Sequence, residues 1–377
     1  MPDRNEEAFQ LRQEKLARIR ARGIDPYPPR YRRTHTAQEA IEAFAEWESK
    51  TPTAEPPAVS VAGRLTALRD MGKATFIDLR DGSGKLQVYL KSDVLGAGPY
   101  AALADLDIGD FVGVRGALFR TRTSEVTVEA AEYALLAKSL QPLPEKWHGL
   151  VDTETRYRQR HLDLIANDDV RRLFGLRIQI IAAIRRFMDG RGFLEVETPV
   201  LLPEAGGAAA KPFVTHHNAL DRDLYLRIAT ELYLKRLIIG GFDKVYEIGR
   251  IFRNEGISTR HNPEFTMMES YEAYADYNDV AAMVEELVVT VAKEVMGATR
   301  VPCGDGEIDL APPWRRITVN DALLQYAGIN LEEYRRDEAG LRAAVQAMGI
   351  EAAPEAGWAK LVDELLSARV EPQLVEP

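Results

Sequence analysis

Between Val59 and Leu140 the chain runs through five short segments of partly alternating apolar and polar residues: VSVAGRL, KATFIDLRD, GKLQVYLK, DFVGVRGALFR and SEVTVEAAEY. Period-two alternation sends successive side chains to opposite faces of a strand, so each segment can bury one face and wet the other. Asp81-Gly82-Ser83-Gly84 separates two of them as a hairpin turn, and Ile108-Gly109-Asp110 precedes another strand. Five strands packed this closely specify a small closed barrel. The OB-fold, a five-stranded Greek-key barrel that binds oligonucleotides, is the leading candidate. Other small β-barrels and sandwiches share the pattern.

The period then changes. RRLFGLRIQIIAAIRRFMDGRG (171–192) carries Leu173, Leu176, Ile180, Ile184 and Phe187 at helical spacing and ends in glycines. FLEVETPVL reads as a strand broken at Pro199, and ATELYLKRLIIGG (229–241) as a short helix stopped by a glycine pair. KVYEIGRIFR and EFTMMESYEAYADY read as two strands joined by a polar loop. Asn278 to Met296 reads as a helix, and 315–377 as mainly helical. Upstream of the barrel, residues 8–22 form a basic amphipathic helix with Leu11, Leu16 and Ile19 on one stripe. Its cations, Arg12, Lys15, Arg18, Arg20 and Arg22, fit either a solvated surface helix or an arm that touches a polyanion. TPTAEPPA (51–58) and LQPLPEKWHG (140–149) read as linkers.

Length and composition bound the function. At 377 residues the chain is too long for one ordinary core. The net charge of −10 argues against bulk electrostatic attraction to nucleic acid while leaving a local basic face possible. One cysteine, Cys303, excludes an intramolecular disulfide framework and fits a reducing cytoplasm. No apolar run reaches the ~18–20 residues of a membrane span, and the N-terminus lacks signal-peptide character.

The segment richest in chemistry is FRNEGISTRHNPEFTMMESYEAY, residues 252–274. A strand ends in Arg253, a loop carries Glu255, Arg260, His261 and Asn262, and a second strand returns through Phe265, Met267, Glu269 and Tyr271 on one face. Phe265 and Glu269 lie ~13 Å apart along that face, about the reach from a purine base to an attached aminoacyl group. A ring at one end could stack on a base, a carboxylate at the other could hold an ammonium, and the basic residues could hold phosphates between them. A surface hairpin with solvated charges is the plainer reading of the same residues.

This hairpin resembles motif 2 of the class II aminoacyl-tRNA synthetases in its lysyl form, and RGFLEVETPVL with its preceding helix resembles motif 1. RYRQRHLDLIAND (156–168), MGKATFIDLRDGSGKLQVYL (71–90) and the stretch from GGAAAKP to FRNEG are similar to lysyl enzymes as well. The likeness extends over residues 9–377. It implies an α+β chain: an N-terminal extension (1–56), an OB-fold anticodon-binding barrel (57–143), a linker (144–170) and an antiparallel-sheet class II catalytic domain (171–377). It implies ATP-dependent activation of L-lysine and transfer to tRNA(Lys) in a cytoplasmic homodimer. Arg253 would bind the α-phosphate and act in catalysis. Glu255 would contact the adenine side, Arg260 and His261 the outer phosphates, with Asn262 supporting the loop and Phe265 stacking on adenine. Gly207, Glu231, Glu269 and Tyr271 would bind lysine, Glu231 at its α-amino group. Phe76 would stack on an anticodon base, and Gln87 and Glu125 would read a base edge.

No segment matches the Gly-rich third motif of the class, so the catalytic domain reads as incomplete, and ligands for Mg2+ are expected beyond residue 377. Two other readings stand beside this one: a non-catalytic tRNA-binding fragment or paralogue, and a sister aspartyl or asparaginyl enzyme. His216-His217 has no ligand at metal spacing, no metal site is assigned, and no P-loop or Rossmann signature is present.

Overall fold

The computed structural model of the chain describes residues 4–50, 55–143, 150–258, 261–304 and 306–375. It separates into two compact units, Met1–Arg171 and Arg172–Pro377.

The first unit is built on a closed barrel of β1 (Ala58–Asp70), β2 (Ala74–Arg80), β3 (Lys85–Lys91), β4 (Phe111–Arg120) and β5 (Val126–Ala137), in the order β1-β2-β3-β5-β4. Only β3 and β5 run parallel; the other neighbours are antiparallel, and β4 returns to β1 to close the sheet. This is the topology of the OB-fold. Alternation works as the sequence requires: Val61, Leu65, Ile77, Leu79, Val88, Leu90, Val114, Leu118 and Val128 fill the interior with almost no exposure. A helix over Ala37–Ser49, opened by a Thr36–Glu39 capping box, buries Ala40 and Phe44 in the same core.

The N-terminal helix, Arg4–Ala21, is not a free arm. Leu16 and Ile19 are buried, and four of its five cations are taken up by the barrel unit. Lys15 pairs with Asp107 at 2.7 Å, Arg18 and Arg22 both pair with Asp105, and Arg12 donates to the carbonyls of Ile108, Ser139 and Gln141. Beneath them Lys138 and Asp110, both without solvent exposure, meet at 2.8 Å, and Asp110 also accepts from the Ser139 N–H. Burial pushes Asp105 and Asp107 up, but the hydrogen bonds from Arg18 and Arg22, and from Lys138 and Lys15, outweigh it and hold both carboxyls below their ordinary range. The helix is thus docked on the barrel unit by its own charges; among the described residues only Arg20 of the five has no such partner.

Two short helices, Thr153–Arg158 and Arg160–Ala166, occupy the stretch read as a linker. Asp152 caps the first, and Asp163, fully buried, takes hydrogen bonds from Arg156 and Asn167 at their junction.

In the second unit the long helix ends at Gly190, with Ala183, Ile184, Phe187 and Met188 packed in the core. The segment read as one strand divides at Pro199 into β6 (Leu194–Glu195) and β7 (Leu201–Leu202), which join different sheets. Proline removes a ladder donor there, so pairing cannot continue. β7 pairs with a hairpin of β8 (Val214–His217) and β9 (Arg222–Leu226), where His216 faces Asp223 at 3.0 Å across the strands. β10 (Lys244–Phe252) and β11 (Glu264–Glu272) pair antiparallel without a register break, and β6 adds in parallel to β10. The helix Tyr277–Met296 buries Met283 and Leu287 against this sheet's core residues. Residues 317–370 form a separate helical cluster around Leu323, Leu341, Leu361 and Leu365.

Candidate active site and nucleic-acid face

In the second unit, the β10–β11 ladder places Ile251 opposite Phe265, Gly249 opposite Met267, Glu247 opposite Glu269 and Val245 opposite Tyr271. The backbone here has little freedom. Arg227 is buried and ion-paired to Glu247, and it also donates to the carbonyls of Thr198 and Arg250. Its guanidinium lies so close to Gly249 that a Cβ there would come within 2.1 Å of Nη2, so the strand admits only glycine. Sequence reasoning missed this Arg227–Glu247 anchor, since nothing in spacing pairs residues on β10 with one just after β9.

At one end of the β11 face, Arg253, Glu255, Gly256, His261, Asn262, Pro263 and Phe265 line a cavity of about 320 Å3. That falls within the size range of small-molecule sites. The Arg253 guanidinium stands 5.3 Å from the Phe265 ring centre and donates through Nε to the Ile228 carbonyl at 3.4 Å. Its N–H pairs with the Pro263 carbonyl, which closes the hairpin neck. The His261 ring shares a 2.8 Å hydrogen bond with the Ser258 hydroxyl, and Glu255 accepts from the Lys211 N–H. Arg260 lies outside the described residues.

At the other end the Glu269 carboxylate accepts from the Thr230 N–H at 3.1 Å and from the Tyr271 hydroxyl at 3.3 Å. Burial, and then the charges of Glu269 and Glu231, hold the Tyr271 phenol well above its usual range, so it stays a donor. Glu231 opens the helix Glu231–Ile239, and the hydrogen bond from Lys235, one turn on at 2.8 Å, holds its carboxyl below the usual range. Gly207, at φ +90°, approaches so closely that an added Cβ would lie 3.2 Å from that of Glu231. Thr230 and Lys235 are participants the sequence reading did not name. Thr230 keeps its hydroxyl buried without a partner among the described residues, beside the Glu269 carboxylate. The structure therefore gathers Gly207, Glu231, Glu269 and Tyr271 into one polar cluster. Arg253, Glu255, His261, Asn262 and Phe265 gather around a pocket on the same hairpin.

On the barrel, Phe76 and Tyr89 are opposed across β2 and β3 and stack at 4.5 Å, with Phe119 6.0 Å further on. Phe76 is half-buried on the outer face and takes no part in the interior. Gln87 is 7% exposed, its carbonyl accepting from the Thr127 hydroxyl and its amide donating to Glu125 at 2.9 Å. Glu125 also holds Lys85 at 3.0 Å. The amide is thus fixed in orientation with one N–H uncommitted, a geometry that suits reading a base edge. Tyr89, Phe119 and Thr127 were legible only as alternating strand residues.

A closed barrel of this topology followed by a β-hairpin with a cationic cavity at one end and a carboxylate cluster at the other invites comparison with known families. Residues 59–143 match the OB-fold nucleic acid binding domain, and residues 152–354 match the tRNA synthetases class II (D, K and N). The chain is 56% identical to a lysine–tRNA ligase of Dehalococcoides mccartyi over 366 residues, 97% of this chain and 73% of that protein. It is 52% identical to the lysine–tRNA ligase of Moorella thermoacetica and 46% identical to that of Oceanobacillus iheyensis, covering 97% and 100% of this chain and 73% and 76% of those proteins. The chain belongs to the class II aminoacyl-tRNA synthetases and, within them, to the lysine–tRNA ligase family.

Proposed function

We propose that the chain activates L-lysine with ATP and charges tRNA(Lys), each step resting on residues described above. The lysine carboxylate attacks the α-phosphorus of ATP; a P–O bond forms, the bond to pyrophosphate breaks, and lysyl-adenylate results. A terminal ribose hydroxyl of the tRNA then attacks the carbonyl carbon and AMP leaves. Arg253 holds the α-phosphate and offsets the charge that builds there, the preorganised role expected of a fixed guanidinium. Phe265 stacks on adenine beside it, with Glu255 at the base and Arg260, His261 and Asn262 toward the outer phosphates. Glu269 and Tyr271 take the side-chain ammonium, Glu231 the α-amino group, and Gly207 offers backbone. Phe76, Gln87 and Glu125 read the anticodon.

The observation that carries the choice of lysine is the pair Glu269 and Tyr271 at one end of the hairpin. The Glu269 carboxylate attracts a side-chain ammonium and repels an acidic side chain, which disfavours an aspartyl enzyme. Among the described residues no group of three or more His, Cys, Asp or Glu side chains converges to hold a metal ion.

The test is pyrophosphate exchange with each amino acid. Lysine alone should support it, and Glu269→Gln should weaken lysine use by about 2–5 kcal/mol while ATP binding persists. Exchange with aspartate, or an unchanged kcat/KM for lysine in Glu269→Gln, would refute the assignment.

We also propose a homodimer acting in the cytoplasm. Leu173 and Ile178 on the long helix are 64% and 69% exposed, and Leu173, Leu176, Ile180, Ile248 and Met268 line an apolar groove of about 530 Å3. An apolar stripe of this kind suits burial against a second copy. Sedimentation should give a dimer at micromolar concentration; a monomer there would remove the claim.

A further inference from the structure

An ammonium of the chain itself stands beside the residues assigned to lysine. Lys235 Nζ lies 2.8 Å from Glu231 and 5.8 Å from the centre of the Tyr271 ring, the two residues that, with Glu269, line this end of the hairpin. Neighbouring cations are committed elsewhere: Arg227 is buried against Glu247, and Arg253 stands beside Phe265 at the phosphate end. Among the described residues, the charged groups named here are two carboxylates and one ammonium, one net negative charge.

That balance bears on which ligand fits. Lysine brings two ammonium groups and one carboxylate, a single net positive charge. The diamine left after removal of its carboxylate carries two positive charges. A pocket holding Glu231 and Glu269 alone would match the diamine charge for charge and prefer it to the amino acid. We propose that Lys235 is a specificity-determining residue that restricts this pocket to amino acids bearing an α-carboxylate and rejects α,ω-diamines by like-charge repulsion. Repulsion of the wrong ligand is a recognised route to discrimination, because specificity is a difference between two affinities. Lys235 is half exposed, so solvent screens its field and the effect is moderate. The inference rests on the assignment of Glu231, Glu269 and Tyr271 to lysine.

The experiment titrates the whole chain and its Lys235→Met, Lys235→Arg and Glu269→Gln variants with L-lysine and with 1,5-diaminopentane by calorimetry. Lys235→Met should shift the diamine-to-lysine affinity ratio toward the diamine by about three- to tenfold, and Lys235→Arg should keep the parent ratio. A helix salt bridge with no part in recognition would weaken both ligands alike or neither; an unchanged ratio in Lys235→Met overturns the inference. Should the parent chain bind no lysine, or Glu269→Gln bind it as well as the parent does, the pocket assignment itself fails and this inference with it.

Discussion

The barrel face and the hairpin of the second unit treat charge in opposite ways. On the barrel, Lys85 pairs with Glu125, Arg69 with Asp78 and Lys91 with Glu129, and the N-terminal helix is docked by its own cations. What remains outward and unbalanced on β2 and β3 is aromatic: Phe76 and Tyr89. On the hairpin, by contrast, Arg253 makes no ion pair among the described residues and lines a cavity, while Glu269 has only neutral donors. An acidic chain therefore presents, among the described residues, an aromatic face on one unit and an arginine without an ion pair in a cavity on the other. Net charge hides this difference; local pairing sets it.

The largest effect that would sharpen this comparison is on stability. Lys138→Met removes the cation that, among the described residues, alone pairs with fully buried Asp110. Leaving one member of such a pair unpaired costs about 3–5 kcal/mol, to be read by chemical denaturation. If the barrel's charges are structural, base preference in the folded fraction should not change. Next is Arg253→Ala, which should lower kcat for lysine-dependent pyrophosphate exchange about 100- to 1000-fold with little change in the KM for lysine. A small loss would place the α-phosphate elsewhere. The smallest effect concerns acid. Against burial, the pairing cations hold Asp105 and Asp107 below their ordinary range, so their contribution is complete above the unfolded value and is lost as pH falls through the lowered ones. Protection of the N-terminal helix amides against hydrogen exchange should therefore hold from neutral pH down to the ordinary carboxylate range and fail only below it. Helix release beginning near neutrality would contradict the pairing.

Much of this was legible in the sequence for a physical reason. Strand alternation and the Asp81–Gly84 turn are local signals, and they fix the barrel without knowledge of its partners. The motif residues Phe265, Glu269 and Tyr271 share a face because strand geometry demands it. What was not legible depends on contacts between distant segments. The sequence left the N-terminal helix open between a solvated surface helix and an arm for a polyanion, because Asp105 and Asp107 stand about 90 positions away, as with Lys15 and Asp107 at a separation of 92. The short helices between 153 and 166 were hidden by the Pro-rich stretch before them, although Asp152 is an N-cap signal in plain view. Arg227 and Glu247 are paired only through the fold. Lys235 was the exception: it stands four residues after Glu231, a spacing that brings two helical side chains together and could have been read directly.

The most direct test of the contrast is the salt dependence of anticodon stem-loop binding by the whole chain. A stem-loop carrying UUU and one with a scrambled loop are titrated from low to high salt, alongside the Phe76→Ala variant. Few phosphates are neutralised if pairing is as described, and each would add only about −0.7 to −0.9 to the slope of log K against log salt. The account predicts a shallow slope, preference for UUU, and a loss of about 1–3 kcal/mol in Phe76→Ala. A steep slope with equal affinity for both loops, unaffected by Phe76→Ala, would show that the barrel binds RNA by charge and does not read its bases.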